Sequence, residues 1–183
     1  MSLERGDLAT ASEQAERLAT TVDHMLALAR NALPQPALVQ IGPIVDAAAG
    51  RWRHQFQRVD RQLVAEIGAN LPAVHARDAS VDQALDVLLE NALRHGDGTV
   101  RLTARPAAGG LVVQVADDGP GIRPDAVPTI FRRAEGTGSG VGLPLARALV
   151  EADGGRLVLA DPDHAELRIV LAAATDAVPR SDG

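Results

Sequence analysis

Three short stretches of this chain carry residue types that could handle a phosphorylated ligand, and each makes a different chemical offer. The run VDQALDVLLENALRHG, residues 81–96, sets an amide, a guanidinium and an imidazole at Asn91, Arg94 and His95. At 100° per residue they share one helix flank beside a core stripe of Val81, Leu85, Leu88, Leu89 and Ala92, with Asp82, Asp86 and Glu90 on the other flank. Such a trio could hold a metal ion and a phosphate chain; taken alone it also reads as a solvated helix flank. The second stretch, VADDGPGI at 115–122, is a strand running into Asp117, Gly119 and Gly121. A carboxylate at a strand end can accept from an exocyclic amine, and alternate glycines let the backbone turn close to a planar ligand. The same residues also suit a plain β-turn. The third, GTGSGVGLPLARAL at 136–149, has Gly136, Gly138, Gly140 and Gly142 at every second position just before a helix. Unhindered N–H groups with a positive helix end behind them make an anion site. It is not a Walker loop, since no Gly-Lys-Ser/Thr closes it, and residues 129–135 read as loop rather than the strand that a dinucleotide fingerprint requires.

The elements that must position these groups follow from periodicity and punctuation. A helix is expected from Ile41, Ile44, Val45, Ala48, Trp52 and Phe56, which fall on one face. A strand at 62–67, an extended piece at 73–76 and a helix opened by Asp78 or Ser80 as N-cap come next. Strands at 100–105 and 111–116 meet at a turn over 107–110, a helix covers 141–152 with Gly154 and Gly155 as its C-cap, and strands at 156–160 and 166–171 meet at 161–164. This order implies an α+β fold, a two-layer α/β sandwich of a mixed, mainly antiparallel sheet with helices on one face.

Ahead of that domain, Leu8, Ala11, Ala15, Leu18, Val22, Met25 and Ala29 recur with alternating spacings of 3 and 4, a heptad seam that calls for a partner helix. The alternative is an amphipathic helix folded back on its own domain. Residues 1–33 are thus read as a helical stub, 34–37 as a stiff linker holding Pro34 and Pro36, 38–174 as the main domain, and 175–183 as a disordered tail.

Composition narrows the partners. The chain of 183 residues is 46% apolar, enough for a core, and has no cysteine for disulfides or thiolate metal sites. A net charge of −6 and few aromatics argue against a nucleic-acid surface. No run approaches the roughly 18 apolar residues of a membrane span, and no signal pattern opens the chain, so a soluble, cytoplasmic piece is expected.

In order and spacing, the three stretches resemble the ATP-binding domain of sensor histidine kinases, within the wider group that includes gyrase, the Hsp90 chaperones and MutL; the resemblance spans residues 37–173. It implies ATP and magnesium as ligands, with Asn91 at the magnesium position and Arg94 and His95 facing the nucleotide. Asp117 would receive the adenine amino group, with Gly119, Gly121 and Ile122 shaping its pocket. Phe131 matches the lid phenylalanine, and Gly138, Ser139, Gly140, Val141, Gly142 and Leu143 match the second glycine motif beneath the phosphates. Residues 7–33 are similar to the second helix of the family's dimerisation domain. The implied partners are that domain, in the same or the paired subunit of a homodimer, and a response regulator; the parent protein would be anchored in the bacterial cell membrane.

Departures from the pattern sharpen the expectation. Val87 stands where the family usually has a second asparagine and where its ATP-hydrolysing relatives have a glutamate base, so hydrolysis of the gyrase type is disfavoured. The lid between Gly121 and Gly138 is short. His24, in VDHMLAL, does not match the phosphoacceptor motif, and His54, His75 and His164 read as residues without partners. The chain is therefore read as a fragment that binds nucleotide, contributes no catalytic side chain of its own, and does not phosphorylate itself. The alternatives are a serine kinase of the anti-sigma-factor type and a catalytically degraded module for dimerisation or regulation.

Overall fold

A computed structural model of the chain describes residues 35–132 and 141–174. The heptad stub, the tail at 175–183 and the stretch holding Gly136, Gly138, Ser139 and Gly140 lie outside the described residues. In chain order the elements are β1 (Ala37–Val39), α1 (Ile41–Gln57), β2 (Leu63–Ile67), β3 (Val74–Ala76), α2 (Asp78–His95), β4 (Val100–Ala107), β5 (Gly110–Asp117), a 3-10 turn (Val127–Thr129), α3 (Gly142–Ala152), β6 (Arg156–Asp161) and β7 (Glu166–Ala172). Five strands form one sheet in the order β2-β4-β5-β7-β6, and β1 pairs with β3 in a separate ribbon. Every pair in the large sheet is antiparallel except β2 with β4, whose parallel register needs the long crossover through β3 and α2.

Alternation decides which face of the sheet is covered. Val100, Leu102 and Ala104 of β4, Leu111, Val113 and Val115 of β5, and Leu167, Ile169 and Leu171 of β7 are buried, while their neighbours are more exposed. The apolar stripes of α1 (Ile41, Val45, Trp52, Phe56) and α2 (Leu85, Leu88, Leu89) join them in one core, so the molecule is the two-layer sandwich expected. The acidic flank of α2 turns out to be a packing surface: Asp86 accepts from Trp52 Nε1 at 2.7 Å, and Arg51 bridges Asp82 and Asp86.

Several boundaries differ from the sequence expectation. Ala37, assigned to the linker, is already in β1. Helix α2 is opened neither by Asp78 nor by Ser80: Arg77 is its N-cap, Asp78 is the acid of the first turn, and Ser80 is buried. The capping carboxylate comes from across the fold. Asp153 accepts from the Arg77 N–H at 2.8 Å and from its guanidinium, with Asp153 almost fully buried, so a local cap is not needed. Helix α3 starts at Gly142 with Val141 as cap, and ends at Asp153 with Gly154 following in the left-handed region at φ +76°.

Candidate functional site

The first two sequence stretches meet where α2 ends over the end of β5, and the described part of the third, from Val141 onward, packs against α2 at Val87. Residues 111, 113, 115 and 117 share the core-facing side of β5, which aims Asp117 inward and leaves it only 3% exposed. An ionised carboxylate so placed needs donors, and two backbone N–H groups supply them: Gly119 at 2.8 Å and Asp97 at 3.3 Å, both to Oδ1. Oδ2 takes no hydrogen bond from the described residues. The walls are built without Cβ atoms. A Cβ on Gly119 would lie 2.5 Å from Asp117 Oδ1, and one on Gly96 would overlap the same carboxyl group. These two glycines let the backbone on either side close directly on the buried carboxyl group.

The other wall comes from the β6–β7 turn. Ile122 N–H donates to Pro162 O at 2.7 Å, and Asp117 N–H reaches His164 O at 3.4 Å. Gly121, at φ +73°, lies so close to this turn that a Cβ would sit 2.5 Å from the carbonyl oxygens of Pro162 and Asp163. Two ion pairs stiffen the rim. Asp118 is bound by Arg101 at 2.6 Å, which with the Thr99 N–H holds its carboxyl below the usual range. His164 is not partnerless: Nδ1 lies 2.9 Å from Asp161, raising the imidazole above its ordinary 6.5 and lowering the carboxyl.

Asn91, half-buried, lies one turn beyond Val87 on α2, and Val87 faces the start of α3: a Cβ on Gly142 would meet Val87 Cγ1 at 3.3 Å. The amide therefore shares its flank with the residue that faces Gly142. Arg94 and His95 are exposed beside it, and Arg94 pairs with Glu90 at 3.5 Å. Leu143 packs against the core while Val141 is exposed. Phe131 is half-buried under the guanidinium of Arg147, 5.2 Å from the ring centroid. Among the described residues no group of three or more His, Cys, Asp or Glu could hold a metal ion by itself. Sequence reading missed Gly96, Asp97 and the Pro162–His164 turn as parts of the site, since their contacts to Asp117 and Gly121 link distant segments.

A model of the family described as histidine kinase-, DNA gyrase B- and HSP90-like ATPases matches residues 77–175, which takes in α2, the Asp117 loop and α3. The chain belongs to this family. It is the ATP-binding catalytic domain of the sensor histidine kinase type. A probable sensor histidine kinase of Mycobacterium tuberculosis is 30% identical over 90% of the chain and 46% of its own length. A sensor histidine kinase component, HK1, of the same species is 38% identical over 72% of the chain and 80% of its length. Among solved structures, full-length ShkA in complex with AMPPNP covers 96% of the chain and 40% of itself at 25% identity, with a TM-score of 0.69. The chain spans between 21% and 46% of the length of the first three curated relatives. No helix among the described residues is long and apolar enough to cross a membrane.

Proposed function

We propose that this domain binds Mg·ATP with the adenine amino group on Asp117 and the triphosphate between Asn91 and the start of α3, and serves its parent protein as the catalytic half of a histidine autokinase. The single observation that carries the reading is the buried Asp117, held by the Gly119 and Asp97 amides between walls with no room for a Cβ. Asn91 would contribute an oxygen to the magnesium ion, which supplies charge neutralisation on the phosphates. Arg94 and His95, exposed on the same flank, would lie along the phosphate chain, and Gly138, Ser139, Gly140, Val141, Gly142 and Leu143 would cradle it. Phe131 would belong to the lid.

The γ-phosphoryl group would pass from ATP to an imidazole nitrogen of a separate dimerisation domain, leaving ADP. Positioning suffices for this chemistry, and the aliphatic Val87 fits transfer to histidine better than activation of water. In the parent, the heptad stub would contribute to a dimeric helical bundle, a response regulator would take the phosphoryl group onward, and the domain would work on the cytoplasmic side of a membrane-anchored protein. The test mixes the chain with γ-labelled ATP and a dimerisation domain bearing the acceptor histidine. Acid-labile, base-stable label on that domain is expected, and its absence while ATP binds would refute the kinase reading. Sedimentation with and without residues 1–33 checks the stub.

A further inference from the structure

Arg61 lies in the turn between α1 and β2, outside all three motifs, yet its guanidinium gathers carbonyls from both halves of the nucleotide site. Nη1 donates to Ala92 O at 2.8 Å and to Leu93 O at 3.3 Å, and Nε donates to Gly98 O at 2.9 Å. The group is seated over the Phe56 ring, 5.4 Å from its centroid, and the Arg61 N–H donates to Phe56 O at 3.0 Å. A cation here meets carbonyls at and just beyond the C-terminal end of α2.

Where those carbonyls sit gives the contact its meaning. Ala92 and Leu93 follow Asn91 directly, in the turn that presents Asn91, Arg94 and His95. Gly98 closes the loop in which the Asp97 N–H holds Asp117 Oδ1 and Gly96 leaves the carboxyl group its space. The Ala92 carbonyl is shared with the Gly96 N–H at 3.1 Å, so helix end and loop meet at one oxygen. One planar fork thus spans the amide that faces phosphate and the loop that seats adenine. Arg61 Nη2 is buried with no acceptor among the described residues, which works against stability, so the side chain is not the best choice for stability alone.

We propose that Arg61 is a positioning residue for the nucleotide, tying the last turn of α2 to the 96–98 loop so that Asn91 and Asp117 stay at the separation one Mg·ATP spans. This rests on the ATP-binding reading above. Adenosine touches only the Asp117 half, whereas Mg·ATP must satisfy both, so a loosened tie penalises the two ligands unequally. Lysine keeps the charge but cannot present the fork, and methionine keeps only the stem over Phe56.

The test compares wild type, Arg61→Lys and Arg61→Met by calorimetry with Mg·ATP and with adenosine, well below each melting temperature, and follows exchange of the Asp97 and Gly119 amides without nucleotide. Arg61→Met is expected to weaken Mg·ATP by about tenfold and adenosine by less than about threefold, the scale of losing charge-assisted hydrogen bonds on one side only. Arg61→Lys should fall between, with faster exchange at both amides than in wild type; it decides the matter if the methionine variant does not fold. Variants that melt lower but bind both ligands as wild type does, or that lose both affinities equally, overturn the proposal. Failure of wild type to bind either ligand overturns the ATP reading instead, before any variant is compared.

Discussion

Replacing Asp117 by Asn changes one atom in the slot, and the geometry fixes which way the new amide turns. Two N–H groups, from Gly119 and Asp97, converge on one oxygen of a side chain whose residue is 3% exposed. The amide oxygen must stay with them, because turning the NH2 inward would set donors against donors. The NH2 then occupies the outward position and meets the adenine amine as a second donor. Losing a hydrogen bond to a charged acceptor costs about 1.5 to 3 kcal/mol, or roughly 10- to 150-fold in Kd. ATP and adenosine should weaken by the same factor, since the phosphates are not involved. Purine riboside, which lacks the exocyclic amine, should bind wild type and Asp117→Asn nearly alike. Calorimetry on both proteins with the three ligands, with circular dichroism to verify folding, decides the point. A folded Asp117→Asn variant that keeps wild-type affinity for ATP, or that loses purine riboside as strongly as ATP, would refute this account of the slot.

Asp153→Ala should destabilise the domain by about 1 to 3 kcal/mol in urea unfolding, because it removes the charged acceptor of both the Arg77 N–H and its guanidinium at the start of α2. Gly142→Val should weaken ATP more than adenosine, since even its Cβ meets Val87 at 3.3 Å, and Val87→Ala in the same chain should restore part of the loss; equal losses for the two ligands would make the start of α3 purely structural. The His164 imidazole should titrate above 6.5 by NMR and fall back in Asp161→Asn. With the imidazole raised and the Asp161 carboxyl lowered, the pair contributes from the usual carboxylate range up to about 6.5, and lets go as pH rises through the raised imidazole midpoint or falls through the lowered carboxyl one. An imidazole midpoint unchanged by Asp161→Asn would show the contact to be without energetic weight.

What could be seen in the sequence was what repeats locally. The stripe Leu85, Leu88, Leu89 and the alternation Leu111, Val113, Val115 announce a helix and a half-buried strand, because burial imprints the period of the element on the chain. Asp117 stood out only in company: alone its segment also suits a plain β-turn, and it is the order and spacing of all three stretches that single it out. Tertiary substitution for local signals was invisible: Arg77 opens α2 only because Asp153, 76 residues away in sequence, supplies the carboxylate. His164 looked partnerless for a different reason: Asp161 lies three residues before it, but only the bend of the β6–β7 turn brings the two side chains together. Gly96 carried no mark either, since a glycine after a helix reads as a stop signal, and only the fold turns it toward Asp117.

The contact between the Asp117–Ile122 segment and the β6–β7 turn also imposes an order of events during synthesis. The base-facing residues leave the ribosome well before residues 162–164, yet the Ile122 N–H has its acceptor only once Pro162 has arrived. Because β7 lies between β5 and β6, the last hairpin must insert beside β5 before the turn can reach the slot. A nascent or truncated chain ending before β6 would hold all three sequence stretches and still lack the acceptors of the Asp117 and Ile122 N–H groups. Turn length between Asp161 and Glu166, ordinarily the most permissive feature of a hairpin, is thus constrained by the Ile122 and Asp117 N–H groups its carbonyls must reach.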